Sequence, residues 1–363
     1  MGWRCGIVGL PNAGKTTIFN ALTAANAEVA AYPFCTIHPN NGVVPVPDSR
    51  LAKLGELLQP QRLTPTTINF VDVAGLIAGA SKGEGLGNQF LGQIRDTDLI
   101  VHVVRCFEDS RSSHPLGGLD PVRDVEVVET ELLLADLEIL ERHRVKLEKR
   151  RKGGEKQVEA GLSVVSRIEA GLNQGRFARD LKVPADELAH LAEAPLLTLK
   201  PYIFVANVSE AEFNGGPCLT ALTALGRKRH IPVIPILGDL EAELLDLTPA
   251  EQKEFLHTLG LAEPGINRLI EESYRLLGLV TFYTIVGREV RAWTVPAGTV
   301  APKAAGQVHS DMEKGFIRAE VMQFADLARL GSTAKIKEAG LLMVEGRDHV
   351  VADGEILLFR FQT

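Results

Sequence analysis

The sequence predicts an α/β fold with a mostly parallel sheet, an inserted α-helical coiled-coil hairpin and a small α+β module at the C-terminal end. Three observations lead there. The strand candidates Cys5–Val8, Ile68–Val71, Leu99–Val104, Tyr202–Ala206 and Pro232–Ile236 are near-continuous apolar runs, as expected of strands buried on both faces beneath helices. Between the third and fourth of these the chain is too long for a single crossover, and its apolar residues recur at three-four spacing. After about Leu279 the pattern changes to short strands separated by brief helical pieces.

Composition sets the outer bounds. A chain of 363 residues, 45% hydrophobic and 23% charged, is ordinary globular material with room for two or three domains. The 39 basic and 46 acidic residues leave −7, which excludes a globally basic nucleic-acid coat but not a local basic patch. The longest apolar stretch, around Leu99–Val104, is interrupted by His102 and falls far short of the roughly 18 residues of a membrane span. Met1–Gly6 enters a strand pattern without an apolar leader, and Cys5, Cys35, Cys106 and Cys218 form no CxxC pair. Together these favour a reduced, cytoplasmic protein without a zinc site or disulfide frame.

Taken in order, the first strand runs into Gly9-Leu10-Pro11-Asn12-Ala13-Gly14-Lys15-Thr16 and then a helix near Lys15–Ala25. This is GxxxxGK[ST] in a strand–turn–helix setting. Glycine lets backbone N–H groups face phosphate oxygens, Lys15 reaches the β- and γ-phosphates, and Thr16 offers a hydroxyl to Mg²⁺. Asn12, Ala13, Gly14 and Thr17 complete the cradle. Asp72 ends the next strand in Asp72-Val73-Ala74-Gly75, where its carboxylate holds Mg²⁺ directly or through water, and the Gly75 N–H faces the γ-phosphate. Thr36, in the loop after the first helix, is either a second hydroxyl for Mg²⁺ or a loop threonine bonded to backbone. Gly79, Gly83, Gly85, Gly87 and Gly92, around Lys82 and Glu84, suit a mobile switch as well as a plain loop.

In the insert, Val125, Val128, Leu132, Ala135 and Ile139, with Leu133, Leu137, Leu140 and Leu147, make one apolar stripe, and Gly153-Gly154 breaks the helix. Val158, Leu162, Val165 and Leu172 resume the spacing, which predicts an antiparallel hairpin whose first helix has about 27 residues and reaches about 40 Å. Its turn is basic: Arg142 to Lys156 holds eight Lys or Arg against Glu148 and Glu155, a net +6, so the rest of the chain carries −13. This is either a solvated helix face or a phosphate-backbone contact. Strands at Thr281–Val286, Glu289–Thr294, Phe316–Val321 and Ile356–Phe361, with helices near Pro302–Val308 and Asp326–Ala339, make up the last module.

These residues resemble switch-type P-loop NTPases of the Obg class, and in particular the Obg-like ATPase family known as YchF. The matching stretches are GLPNAGKTT at Gly9–Thr17, YPFCT at Tyr32–Thr36, DVAGLI at Asp72–Ile77, GEGLGNQFL at Gly83–Leu91, LKPYIFVANVSE at Leu199–Glu210 and VHSDMEKGFIRAE at Val308–Glu320. The resemblance implies a split nucleotide domain (1–122 and 199–278), a helical coiled-coil arm (123–198) and a ubiquitin-like β-grasp module of the TGS type (279–363). It also implies an ATP-binding, slowly hydrolysing switch that associates with the ribosome through the basic arm and the TGS module, acting as a cytoplasmic monomer away from membranes. GTP binding, a GTP-dependent ribosome-assembly factor and a nucleotide-stabilised scaffold stand as alternatives.

The base-reading stretch is Asn207-Val208-Ser209-Glu210, where GTP-specific relatives carry Asn-Lys-x-Asp. Glu210 is one methylene longer than aspartate and Val208 lacks a lysine stem, so guanine loses its bidentate partner. The resemblance implies that Asn207 lies near the adenine amino group. Leu76 stands where many switch NTPases carry the water-orienting glutamine, and it cannot hydrogen-bond water. The resemblance puts His114 in that role, beside Lys15 as a catalytic residue. It also makes Asn12 either a contributor to K⁺ binding or a residue that holds the loop. Turnover well below about 1 s⁻¹ is expected for the isolated chain.

Overall fold

The computed structural model describes residues 2–24, 40–73, 86–109, 112–153, 155 and 158–362, with the side chains of residues 86–90 and 249 excepted. In chain order the elements begin with β1 (Arg4–Val8), α1 (Lys15–Ala24), β2 (Asn41–Pro45), α2 (Ser49–Leu58), β3 (Arg62–Thr64) and β4 (Thr67–Asp72). Then come α3 (Leu86–Arg95), β5 (Leu99–Cys106), α4 (Pro121–Lys152), α5 (Val158–Leu172), α6 (Ala185–Leu188), β6 (Tyr202–Val208), α7 (Glu210–Phe213), α8 (Pro217–Arg229) and β7 (Val233–Ile236). They are followed by α9 (Gly238–Leu244), α10 (Pro249–Thr258), α11 (Gly265–Leu276), β8 (Leu279–Val286), β9 (Glu289–Pro296), α12 (Ala301–Val308) and α13 (Ser310–Lys314). The chain ends with β10 (Phe316–Gln323), α14 (Phe324–Leu330), α15 (Thr333–Glu338), β11 (Met343–Glu345) and β12 (Glu355–Phe361). Two compact units result: Met1–Val43 with Asn69–Leu269, and Val44–Ile68 with Ile270–Thr363.

In the first unit the strands lie in the order β2-β4-β1-β5-β6-β7. β1 pairs in parallel with β4 and β5, β5 with β6, and β6 with β7. β2 runs antiparallel to β4, bracketed by hydrogen bonds from Asp72 N to Asn40 O and from Val46 N to Thr66 O. The sheet is therefore mixed: β4, β1, β5, β6 and β7 run parallel, and the edge strand β2 runs against them. β2 alternates half-buried and buried residues and lacks the continuous apolar run of a central strand, so only its pairing reveals it. Register brings Ile7 beside Asp72, Val8 beside His102, Cys106 beside Val208 and Asn207 beside Ile236. The loops after β1, β4, β5, β6 and β7 thus leave one edge of the sheet, where open α/β sheets bind ligands.

α4 spans 32 residues, about 48 Å, rather than the expected 27, because Asp120 caps it by accepting from Arg123 N and Pro121 opens its first turn. Val125, Val128, Leu132 and Ala135 pack into the core beneath Phe204 and Leu222, whereas Ile139, Leu140 and Leu147 pack with Val158, Val165, Ile168 and Leu172 of α5. Ion pairs Arg144–Glu169 and Arg151–Glu159 give the two helices opposite directions. Where the two cores meet, the fully buried Asp136 accepts hydrogen bonds from Leu197 N, Thr198 N and Thr198 Oγ1. Burial pushes its carboxyl up to about 6 against those bonds.

The second unit is β-rich and consistent with a β-grasp-like module, with strand order β11-β10-β12-β8-β9-β3. β8 and β9 form an antiparallel hairpin turning at Gly287 (φ 60°), β10 is antiparallel to β11 and β12, and β12 and β3 pair in parallel with β8 and β9. One face buries Phe282, Val295, Phe316 and Leu357 against Ala301, Ala304 and Ala305 of α12; the other buries Tyr283, Val290 and Ile356 against Leu51 and Leu54 of α2, Leu327 and Ile336. Val44–Ile68 therefore packs with this unit, although local pattern assigns it to the nucleotide domain. The single helix expected over Asp326–Ala339 is two, divided at Gly331 (φ 78°), with Ser332 Oγ accepting from Lys335 N to start the second. Among the described residues no helix is long and apolar enough to cross a membrane.

Candidate functional site

The turn between β1 and α1 is held by close backbone approach. A Cβ on Gly9 would stand 2.3 Å from Val103 O, and one on Gly14 (φ 85°) would stand 2.0 Å from Asn207 Nδ2. Asn12 adopts a left-handed φ of 61°, and its Nδ2 donates to Ser113 O at 3.2 Å. Lys15, buried, folds back so that Nζ donates to Leu10 O at 2.9 Å; burial lowers its pKa and nearby Asp72 opposes that. Thr16 Oγ1 donates to Asp72 Oδ2 at 2.9 Å. Burial raises the Asp72 pKa against the Thr16 bond and Lys15, and Asp72 Oδ1 is buried without a hydrogen-bond partner. A hydroxyl and a carboxylate with an unused lone pair are the hard oxygen donors that Mg²⁺ takes. No cluster of three or more His, Cys, Asp or Glu suited to a metal exists among the described residues.

Beside this turn, at the same sheet edge, lies a cleft of about 340 Å³ whose walls include Asn12, Gly14, Thr17, Phe107, Asn207 and Asp239. Asn207, 5% exposed, closes its floor: Nδ2 donates to Ala13 O at 3.1 Å and Oδ1 accepts from Gly238 N at 3.3 Å. One side chain thereby joins the end of β6 to the segments that follow β1 and β7. Arg105 does the same for the loop after β5. Its Nη1 donates to Asn12 O and Ser112 Oγ, its Nη2 to Ser112 O and its Nε to Phe107 O, with the guanidinium carbon 4.6 Å from the Phe107 ring centre. Cys218 Sγ lies 2.7 Å from Cys106 Sγ beneath; this contact and burial raise the Cys106 thiol's pKa.

Of the residues singled out from sequence, Asn12, Ala13, Gly14, Lys15, Thr16, Asp72, Thr17, Asn207 and Val208 gather at this edge. Glu210 does not line the cleft; it is exposed in the first turn of α7. His114 is turned to the start of α4: its ring Nε2 donates to Asp124 Oδ2 at 2.7 Å, and Nδ1 accepts from Leu116 N at 3.2 Å. The two side chains are 6% and 4% exposed, and Arg123 Nη2 shares Asp124 from Oδ1 at 3.0 Å. Thr36, Gly75 and the switch glycines at 79, 83 and 85 lie outside the described residues. Phe107, Asp239 and Arg105 were not anticipated. For Arg105 a signal existed, a guanidinium near the end of the run Leu99–Cys106, which is otherwise apolar except for His102.

Comparison with known proteins agrees with this geometry. The family model described as a 50S ribosome-binding GTPase matches residues 4–143. The model for the C-terminal domain of YchF GTPases, described as a protein of unknown function, matches residues 279–362. The chain is 49% identical over 361 residues to the "Ribosome-binding ATPase YchF" of Pasteurella multocida, covering 99% of both proteins. To the protein of that name from Bacillus subtilis it is 44% identical over 364 residues, covering 99% of this chain and 100% of the relative. The solved structure of the Schizosaccharomyces pombe YchF GTPase superposes with a TM-score of 0.90 at 32% identity, covering 99% of this chain and 98% of that one. With near-complete coverage at these identities, and with the strand–turn–helix phosphate loop in place, the chain belongs to the YchF family of Obg-class P-loop NTPases.

Proposed function

We propose that this chain is an ATP-binding, slowly hydrolysing switch that acts on the ribosome in the cytoplasm, with 1–122 and 199–278 as its nucleotide domain apart from Val44–Ile68, which packs with the C-terminal unit, the α4–α5 hairpin (123–198) as a projecting coiled-coil arm and 279–363 as a TGS module. The observation that carries the base preference is the position of Glu210, exposed and outside the cleft, so that the carboxylate expected to pair with guanine N–H groups is missing there. The purine stacks on Phe107, and Asn207 holds the floor while the backbone beside it faces the base edge. Ribosome association is supported by the full-length relatives named as ribosome-binding ATPases and by the net +6 of Arg142–Lys156.

In this reading the backbone N–H groups of Asn12–Thr16 surround the β-phosphate, and Lys15 leaves Leu10 O to take the β- and γ-oxygens. Thr16 and Asp72 would hold Mg²⁺, with Thr36 added in the triphosphate state, and the ion would supply charge neutralisation to the developing phosphate. Gly75 faces the γ-phosphate and reports its presence. His114 orients the attacking water only after its ring leaves Asp124, and Leu76 offers no substitute, which together account for slow turnover. Asn12 holds the loop through Ser113, and K⁺ acts in this chain only if that contact opens.

GTP use is the second reading; the observation favouring it is Asp239, a carboxylate on the cleft wall. Competition of ATP and GTP for a fluorescent nucleotide separates the two readings. A titration of purified ribosomes with ATP, with ADP and without nucleotide, at two salt concentrations, tests the switch. Triphosphate-dependent, salt-sensitive binding supports it, and identical binding in all three states refutes it.

A further inference from the structure

A second concave site lies at the other edge of the same sheet. α3 ends at Arg95, just before β5 begins at Leu99, whereas the nucleotide cleft lies where β5 ends. The eight residues of β5 separate the two sites by about 26 Å. Here a cleft of about 260 Å³ is lined by Arg95, Arg142, His143, Lys146, Glu193 and Pro195. Three permanent cations thus face one carboxylate, and Glu193 is itself 3.9 Å from Arg150.

The cations of this wall are unspent. Arg95 Nε and Nη2 are buried without hydrogen-bond partners, as is His143 Nδ1. Asp136, the carboxylate whose charge Arg95 feels, has both oxygens committed to Leu197 and Thr198. Turning the Arg95 guanidinium toward an incoming oxyanion therefore breaks no hydrogen bond at those two nitrogens, and it gives two buried donors the partner they lack. Arg142 and Lys146 are exposed and form no ion pair among the described residues; Arg142 Nε donates only to Glu138 O at 3.2 Å. Toward the end of the arm the pattern divides. Arg150 and Arg151 are paired with Glu155 and Glu159, whereas Lys149, like Lys146, forms no ion pair among the described residues. Arg142, Lys146 and Lys149 stand at i, i+4 and i+7, a single helix face with cations about 6 and 4.5 Å apart along the axis.

A pocketed guanidinium at the head of a regular row of free cations matches repeated phosphates along a polymer better than a single small anion. We propose that Arg95, Arg142 and Lys146 form a phosphate site that seats the backbone of RNA, with Lys149 taking a neighbouring phosphate. This deepens the ribosome-directed reading and rests on it for the choice of RNA over an acidic protein.

The test uses the full chain, a fluorescein-labelled RNA hairpin and fluorescence anisotropy at about 50 and 200 mM KCl. Arg142→Glu and Lys146→Glu should each weaken RNA binding roughly fivefold or more, and each should lower the salt slope by about 1. Arg95→Gln should weaken binding in the same direction, while affinity for fluorescent ATP stays unchanged in all three variants. RNA binding by the double variant within about twofold of the parent overturns the site. So does an equal loss in Arg151→Glu, which stands half a turn around the helix from Arg142 and would indicate a diffuse cationic coat. Displacement of RNA-independent inorganic phosphate from the cleft with no hairpin binding overturns it in favour of a free anion; binding of poly(L-glutamate) but not the hairpin overturns it in favour of an acidic protein. Ribosome titrations with the same variants keep the two proposals apart. Unchanged, ATP-dependent ribosome binding by the double variant defeats the cleft alone, whereas hairpin binding through Arg142 without ribosome binding supports the cleft and defeats the switch reading.

Discussion

Asn207 offers the sharpest test of how this site is assembled. It is 5% exposed and satisfies two buried main-chain groups, Ala13 O and Gly238 N. Space for its amide is left by Gly14 and Gly238, whose Cβ positions would fall 2.0 and 2.7 Å from it. Asn207→Ala strands both groups, each at about 1–3 kcal/mol, and water entering from the adjacent cleft recovers part of that, so a loss of about 2–4 kcal/mol is expected. Asn207→Asp keeps the acceptor for Gly238 N but turns an oxygen toward Ala13 O. At about pH 8 acceptor faces acceptor around a buried charge, and this variant should be the less stable of the two despite its conserved size. At about pH 5 a protonated carboxyl regains a donor for Ala13 O, so the aspartate variant should recover stability on acidification while the alanine variant does not. Urea unfolding at both pH values measures this, and titration with fluorescent ATP should show affinity down at least tenfold in both variants because Ala13 belongs to the phosphate loop. An aspartate variant as stable as the parent at pH 8, or an alanine variant with full nucleotide affinity, would refute the clamp.

The remaining expectations concern single groups. Glu241, 2% exposed, accepts from Gly265 N through Oε1 while Oε2 has no partner, and burial pushes its carboxyl up to about 7 from 4.5 against the backbone bonds of Gly265 and Ile266. The fold therefore holds this proton more tightly than the unfolded chain, and stability falls as pH rises from about 4.5 to 7, by about 3 kcal/mol at most. Glu241→Gln should remove that slope and exceed the parent in urea unfolding at pH 8; a less stable glutamine variant there defeats the assignment. Asp72→Asn should raise the Mg²⁺ concentration needed for half-maximal hydrolysis at least tenfold, measured by phosphate release, and an unchanged requirement excludes Asp72 from the metal site. His114→Ala leaves Asp124 with Arg123 alone and should cost about 1–3 kcal/mol in unfolding while nucleotide affinity holds. If single-turnover hydrolysis is also unaffected, His114 only anchors the start of α4.

Much of the architecture could be read from local chemistry. The five apolar strands, the phosphate loop and the two halves of the hairpin are each a matter of neighbours within one turn or one strand, and hydrophobic period reports those directly. The difficulties arose where partners are remote. β3 has three residues and no periodic signature; it exists because Arg62–Thr64 pairs with Glu289–Arg291, more than two hundred positions away. The resemblance put Asn207 near the adenine amino group, whereas the folded chain employs both ends of its amide on Ala13 and Gly238. Glu210 shows the converse. One methylene argued that its carboxylate is misplaced for guanine, and the first turn of α7 carries it out of the cleft altogether.

By itself, then, the amino-acid order determined that a strand, a glycine turn and a helix would follow one another with Lys15 and Thr16 at the helix start, since φ freedom and residue spacing are properties of a few consecutive residues. Only tertiary structure decided that Arg105 would lock the loop after β5 to Asn12, that His114 would face Asp124, and that Arg95 would meet Arg142 and Lys146 across a shared cleft. Those pairings depend on how sheet register and helix length bring distant segments together, and burial then sets the cost of every polar group left without a partner.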